Sequence, residues 1–307
     1  MPSLSGLTYA PCGGRDRLAV DALEITSDGI AQDRHAGPGN RQVSLLDAEA
    51  SRVYLECLKP GGKSGLGKEN LLIEGLPPLR PVDRLQVGAV MLEITQVGPF
   101  WTAEAAPACP PEKECLMSEY GAFARVLAPG VVKRSDAVLH LPRTLRAEVI
   151  TLSDRAHSGI YEDKSGPRLL ELLQAFATHN NWRLDARSTV IPDEPTAFDE
   201  VIDAALKRGA DLILSTGSTG PGRRDIAPEV VLARSPKVIP GIMEHIRLKY
   251  GQDKPHALLS RGVAAVIGDA TLICTLPGSP RAVGEYFGEI EKLLPHLLLL
   301  LHGIDPH

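Results

Sequence analysis

A chain of 307 residues, 43% hydrophobic and 23% charged, has an ordinary globular composition and room for about two domains. That excludes disordered and fibrous classes. Thirty-three Lys and Arg against 38 Asp and Glu give a formal net charge of −5, the wrong sign for a basic nucleic-acid-binding domain. No apolar run approaches the roughly 20 residues of a membrane helix, and Met1-Pro2-Ser3-Leu4-Ser5-Gly6 lacks the pattern of a secretory signal. Five cysteines (Cys12, Cys57, Cys109, Cys115, Cys274) are too few and too scattered for a disulfide scaffold. A soluble, cytoplasmic protein with no membrane or nucleic-acid partner is expected.

Residues 18–142 carry short apolar runs cut by Gly and Pro: Arg41–Leu46, Asn70–Ile73, Ala89–Thr95 and Ala122–Leu127. Several alternate or are β-branched, which predicts a mostly-β domain over 1–142, a barrel or a sandwich. From residue 146 the rhythm changes. A strand (Ala147–Leu152) precedes a helix bearing Leu169, Leu170, Leu172, Leu173 and Phe176, and a helix (Ala197–Lys207) precedes a strand (Asp211–Thr216). A strand at Ala270–Leu276 and a closing helix at Arg281–Leu294 complete the pattern. Alternation of strand and helix predicts a second domain, 146–307, of α/β type in three layers around a mainly parallel sheet.

The chemistry concentrates in Ser215-Thr216-Gly217-Ser218-Thr219-Gly220-Pro221-Gly222-Arg223-Arg224-Asp225, directly after a buried strand. In a parallel sheet this is the carboxyl end, where such folds bind ligands. Small residues let backbone N–H groups approach an anion, the Arg pair can neutralise phosphate, and Asp225 can hold magnesium. The bland alternative is a glycine turn beside a solvated Arg pair. Ser153 and Asp154 end one strand, and Asp193 and Glu194 follow another, Ser188–Ile191. Both groups are expected on the same rim, although an Asp ahead of a helix is also a common N-cap.

Residues 147–300 resemble the molybdopterin adenylyltransferase family, also seen as the G domain of gephyrin-type proteins. The resemblance rests on Leu152–Arg155, Ser158–Gly166, Ile191–Glu194, the 215–225 loop and Leu276-Pro277-Gly278-Ser279-Pro280. It implies adenylylation of molybdopterin by ATP with magnesium. Asp193 and Asp225 match the essential acidic pair and would hold magnesium and orient nucleotide. Thr216, Gly217, Thr219 and Gly220 would cradle phosphate or pterin, with Ser153, Asp154, Ser218 and Arg223 as further contacts and Ser260, Arg261, Pro277 and Gly278 as lesser ones. The family loop usually reads Thr-Thr-Gly-Gly-Thr-Gly, whereas this chain has Ser215 and Ser218. If position 218 needs positive φ, serine there costs about 1 kcal/mol or more.

Residues 20–140 resemble the MOSC domain, a β-barrel named for molybdenum cofactor sulfurases. The matching segments are Asp28–Gly37, Arg41–Leu46, Glu69-Asn70-Leu71, Leu85–Gly88 and Gly121–Leu127. This implies binding of the cofactor, or sulfur and metal handling by a late-barrel cysteine. Trp101 and Ala105 occupy positions where related fusions carry cysteines, which leaves Cys109 and Cys115 as candidate thiols, with His35 and Arg41 as candidate anion contacts. Incidental loop cysteines and a hydrogen-bonded structural His35 are the alternatives. Gly62–Glu69 nearly spells a P-loop, but Glu69 replaces the required Ser or Thr. Cys274, in an apolar strand, is expected to be inert.

Two functional classes follow. One is an enzyme of molybdenum cofactor biosynthesis, whose fused domains raise the local concentration of an intermediate. The other is a non-catalytic carrier or storage protein for the pterin. Candidate partners are the pterin, a nucleotide, further copies of the chain (trimers are usual among the relatives) and other cofactor-biosynthesis enzymes.

Overall fold

The computed structural model describes residues 2–13, 16–49, 52, 69–98, 121–180, 182–234 and 237–304. Cys57, Cys109, Cys115, Trp101, Ala105 and nearly all of the P-loop-like run therefore lie outside the described residues. The chain divides into two compact units, one of Met1–Arg143 with Ile304, the other of Thr144–Gly303.

The first unit is mostly β, as the alternating runs predict. Its main sheet contains β1 (Ser3–Tyr9), β2 (Leu18–Ala19), β5 (Val43–Asp47), β6 (Leu71–Glu74), β7 (Arg84–Val87), β8 (Val90–Val97), β9 (Gly121–Ala128) and β11 (Val138–Leu141). The spatial order is β11-β7-β8-β9-β5-β6-β1-β2. A bridge between Ser3 and Ala137 and a bond from Val138 N to Pro2 O at 2.9 Å tie β1 back towards β11. The sheet thus curls into a half-barrel. A smaller sheet pairs β10 (Gly130–Lys133), β3 (Ala22–Thr26) and β4 (Gly29–Ile30). Inward residues such as Leu4, Leu7, Val43, Leu45, Leu85, Leu92 and Ala124 form one buried core.

The second unit is built on a six-stranded sheet of order β13-β12-β14-β17-β16-β15. Here β12 is Thr144–Leu152, β13 Arg183–Ile191, β14 Leu212–Thr216, β15 Lys237–Val238, β16 Ala264–Ile267 and β17 Thr271–Leu276. The β13-β12-β14-β17 run is parallel. β16 and β15 close the edge antiparallel, so the sheet is mixed. The described residues of this unit form seven α-helices: α1 (Asp154–His157), α2 (Ser165–His179), α3 (Pro195–Lys207), α4 (Ala227–Arg234), α5 (Pro240–Gly251), α6 (Pro280–Ile290) and α7 (Leu294–Leu301).

Alternation along the strands sends Val149, Leu214 and Cys274 to one face, where α2, α5, α6 and α7 pack. Ile150, Ile213 and Ile273 go to the other, against α3 and α4. In α2 the apolar residues Leu169, Leu173 and Phe176 recur at helical spacing and are buried. Its first turn is held by the Asp163 carboxylate, which accepts from Ser165 N at 3.0 Å and Gly166 N at 3.1 Å. The closing helix expected over 281–294 stops earlier, and a separate helix follows it. α6 ends at Ile290, and α7 starts with Pro295 in its first turn, because proline is tolerated there and not in a helix interior. No helix among the described residues is long and apolar enough to cross a membrane.

One buried ion pair fastens the end of α3 to the sheet. Arg208 donates to Glu148 Oε2 at 2.9 Å and to Ala147 O at 2.8 Å, and both partners' side chains are largely buried. Removing one side of such a pair leaves an uncompensated charge. Arg208→Ala is expected to cost about 3 kcal/mol, read as a lower urea midpoint with unchanged slope.

Candidate functional site

Register decides where the site lies. Leu152 pairs with Ile191, Thr151 with Thr216, and Thr216 with Leu276. Four parallel strands therefore end level, and the segments after them share one rim: Ser153-Asp154, Pro192–Glu194, Gly217–Asp225 and Pro277–Ser279. Beyond the ladder, Thr216 Oγ1 donates to Pro277 O at 2.9 Å and Gly217 N to Leu276 O at 2.9 Å. Gly217 has φ +97°, and a Cβ there would stand 2.3 Å from Leu152 O. Only glycine lets β12 and β14 close together at this point.

The carboxylates are held by backbone. Asp193 N donates to Asp154 Oδ1 at 3.0 Å and Asp154 N to Asp193 Oδ2 at 3.2 Å, a reciprocal clamp between two loops. Arg224 forms an ion pair with Asp154. Asp225 accepts from Gly222 N at 2.8 Å and returns its own N–H to Gly222 O at 3.1 Å, making a tight turn. Gly220 lies so near that a Cβ would be 2.8 Å from Asp225 Oδ2.

Burial raises the Asp193 carboxyl above its ordinary value; the nearby Ser218 hydroxyl opposes this, and the negative charge of Asp225 adds to it. A carboxylate whose charge is disfavoured by a second carboxylate gains from a cation placed between them. No group of three or more His, Cys, Asp or Glu side chains able to hold a metal occurs among the described residues. Asp193 and Asp225 supply hard oxygen donors without an all-protein cage. That donor set fits magnesium, which keeps waters and is completed by substrate phosphates.

Arg261 is the residue that sequence reasoning underrated. Its N–H donates to Thr219 O at 2.8 Å, its Nε to Gly220 O at 2.7 Å and a terminal nitrogen to Asp225 O at 3.1 Å. It also pairs with Glu229. One side chain thus fixes both limbs of the glycine-rich loop from a position 36 residues beyond Asp225. No local spacing could announce it.

The other expected contacts divide. Ser153 caps α1 by accepting from Ala156 N, and Thr219, within the loop, is buried. Ser260 Oγ accepts from Gly262 N at 3.4 Å, and Pro277 and Gly278 stand beside Thr216 and Gly217. Thr216 and Gly217, expected to cradle phosphate, use the hydroxyl and N–H described above to hold the rim together. The exposed Arg223 stays unpaired among the described residues, whereas Arg224 is engaged by Asp154. Ser218 has φ +53°, the positive value that makes serine costly there.

His35 and Arg41 belong to the other unit. The His35 ring is exposed, with Nδ1 2.9 Å from Asp33 Oδ1, the kind of hydrogen bond the structural alternative calls for. Arg41 donates to Gln96 Oε1 at 2.9 Å and lies over Phe123, 5.3 Å from the ring centroid. Burial pushes the Cys274 thiol up to about 12, in keeping with an inert core residue. Burial alone would raise the Asp33 carboxyl. Hydrogen bonds from Ala10 N, His35 N and the His35 ring, with Arg17 nearby, outweigh it and hold the group below its ordinary value. Its contribution to the first unit's stability is therefore full above the unfolded carboxylate value, near pH 4. It is lost as pH falls through the lower folded value. Acid unfolding of Asp33→Asn is expected to show a shallower loss in that window than the parent protein.

Residues 148–296 match the family described as "probable molybdopterin binding domain". The molybdopterin adenylyltransferase of Escherichia coli K12 is 38% identical over 162 residues, which cover 52% of this chain and 80% of that protein. The chain belongs to this family. A molybdenum cofactor biosynthesis bifunctional protein of Synechococcus elongatus is 37% identical over 159 residues, and this chain covers 48% of its length. The solved structure of the molybdopterin biosynthesis enzyme MoaB from Thermus thermophilus is 34% identical, with a TM-score of 0.46, over 52% of this chain and 97% of that one. All five sequence segments that carried the resemblance to the family fall within 148–296, and four of them form the rim. The family match starts after the half-barrel unit.

Proposed function

We propose that Thr144–Gly303 transfer the adenylyl group of ATP to molybdopterin with magnesium, and that the half-barrel is a MOSC-like unit that binds or processes the cofactor. The observation that carries the first reading is the placing of Asp193 within reach of the Asp225 charge, which helps hold the Asp193 carboxyl above its ordinary value, beside a glycine-rich loop at the carboxyl rim of parallel strands. A pure pterin carrier has no use for such an acid pair. Membership of the family and the relatives' activity support the same conclusion.

In the reaction, a terminal phosphate oxygen of the pterin forms a bond to the α-phosphorus of ATP, and the α–β bond breaks to release pyrophosphate. Both reactants are polyanions, so the site must offset their repulsion and align them. Magnesium, when bound, neutralises phosphate charge and aligns the leaving group. Asp193 and Asp225 would hold it. Arg223, exposed and unpaired among the described residues, is the cation available to the incoming phosphates. Arg224, Arg261 and the Asp154–Asp193 clamp keep the acid pair in place. A trimer, usual among such proteins, is part of the proposal.

The test is pyrophosphate release and adenylylated-pterin formation from molybdopterin, ATP and magnesium by the full chain. Turnover is expected. Tight pterin binding without turnover would overturn the transferase reading in favour of a carrier.

A further inference from the structure

Ser218 is a serine held where glycine is normally needed. Its φ of +53° costs an L-residue roughly 1–2 kcal/mol, so something must hold it there. Its Oγ accepts from Ile226 N at 2.9 Å and donates to Arg224 O at 3.1 Å, while its carbonyl accepts from Ala227 N at 3.1 Å. These bonds run across the base of the 218–227 loop. Inside that loop lie Arg224, paired with Asp154, and Asp225, wound back on Gly222.

A glycine at 218 would adopt the same φ without cost, but it could close the loop only through the bond from Ala227 N. The hydroxyl adds two attachments, one to the residue just before Asp225 and one to the residue just after it. We propose that Ser218 is a positioning residue whose hydroxyl clasps the base of this loop, fixing Asp225 and Arg224 at the rim before nucleotide arrives. The proposal deepens the transferase reading and rests on it for its functional consequence. The loop's ordering cost is then met during folding, not during binding. Loss of the clasp therefore weakens nucleotide binding in ground and transition states alike, which raises KM for ATP and leaves kcat nearly unchanged.

Two variants separate the hydroxyl from the backbone: Ser218→Ala keeps the φ penalty and loses the hydroxyl, and Ser218→Gly loses both. In the full chain, both are expected to bind magnesium with α,β-methylene-ATP about tenfold more weakly by calorimetry. KM for ATP should rise to match, and exchange of the Ile226 amide with deuterium should speed up without nucleotide present. On an Asp225→Ala background, Ser218→Ala is expected to weaken binding no further, since the clasp acts through the loop that Asp225 completes. Parent-like affinity in both variants overturns the clasp. So does a parent-like Ala variant beside a weakened Gly variant, which would assign the effect to backbone conformation. If the parent chain itself does not bind the analogue, the transferase reading falls. Exchange at Ile226 then decides the clasp alone: faster in both variants supports it, and unchanged overturns it.

Discussion

Asp225→Ala is expected to lower kcat/KM for adenylyl transfer by at least about a hundredfold, with pterin binding retained. The carboxylate has two duties. It accepts from Gly222 N at 2.8 Å, which shapes the turn, and its charge bears on Asp193, with which it is proposed to hold magnesium. Asparagine separates these duties, because its amide oxygen can still accept from Gly222 N while the charge is gone. If charge is what matters, Asp225→Asn is as impaired as alanine and keeps the parent's protection of the loop amides from exchange. If only turn geometry matters, asparagine recovers most of the activity. Substantial turnover in both variants would remove Asp225 from the site. Pyrophosphate release, measured with pterin affinity alongside, distinguishes these outcomes.

Gly217→Ala is expected to destabilise the second unit by about 3 kcal/mol or more. Two costs combine: the left-handed φ of +97°, and a Cβ placed 2.3 Å from Leu152 O. The second cannot be relieved by turning a side chain, since the obstacle is backbone, so β12 and β14 must separate where the rim is assembled. Gly159 is the control. It also has positive φ, +75°, but an added Cβ meets nothing within 4 Å, so Gly159→Ala should cost only the conformational penalty, about 1–2 kcal/mol. Urea unfolding of the two variants reads the difference directly. Equal midpoints would mean that the strand ends part at no cost.

Much of the site was legible because its signals are local. A buried strand followed by a glycine-rich loop and an acid is a contiguous pattern, as are Ile191-Pro192-Asp193-Glu194 and Leu276-Pro277-Gly278. Parallel strands with helical crossovers place such segments at one rim by topology alone. The break after Ile290 is also written in the chain, at Pro295, which falls in the first turn of α7. The antiparallel edge of β15 and β16 was not legible, because short buried strands carry no mark of their direction.

The sequence by itself determined two β-containing units of different rhythm, the family of the second, and the identities of Asp193, Asp225 and the loop between strand and acid. Each depends on residues close together in the chain, where propensity, periodicity and motif order act. The tertiary structure alone decided how these groups are held. The Asp154–Asp193 clamp joins loops 39 residues apart, and Arg261 reaches back to the glycine-rich loop. Gly217 yields its N–H to β17, and Arg224 is taken by Asp154, leaving Arg223 exposed. Such bonds follow from which strand ends lie side by side, and that proximity exists only once the sheet has paired.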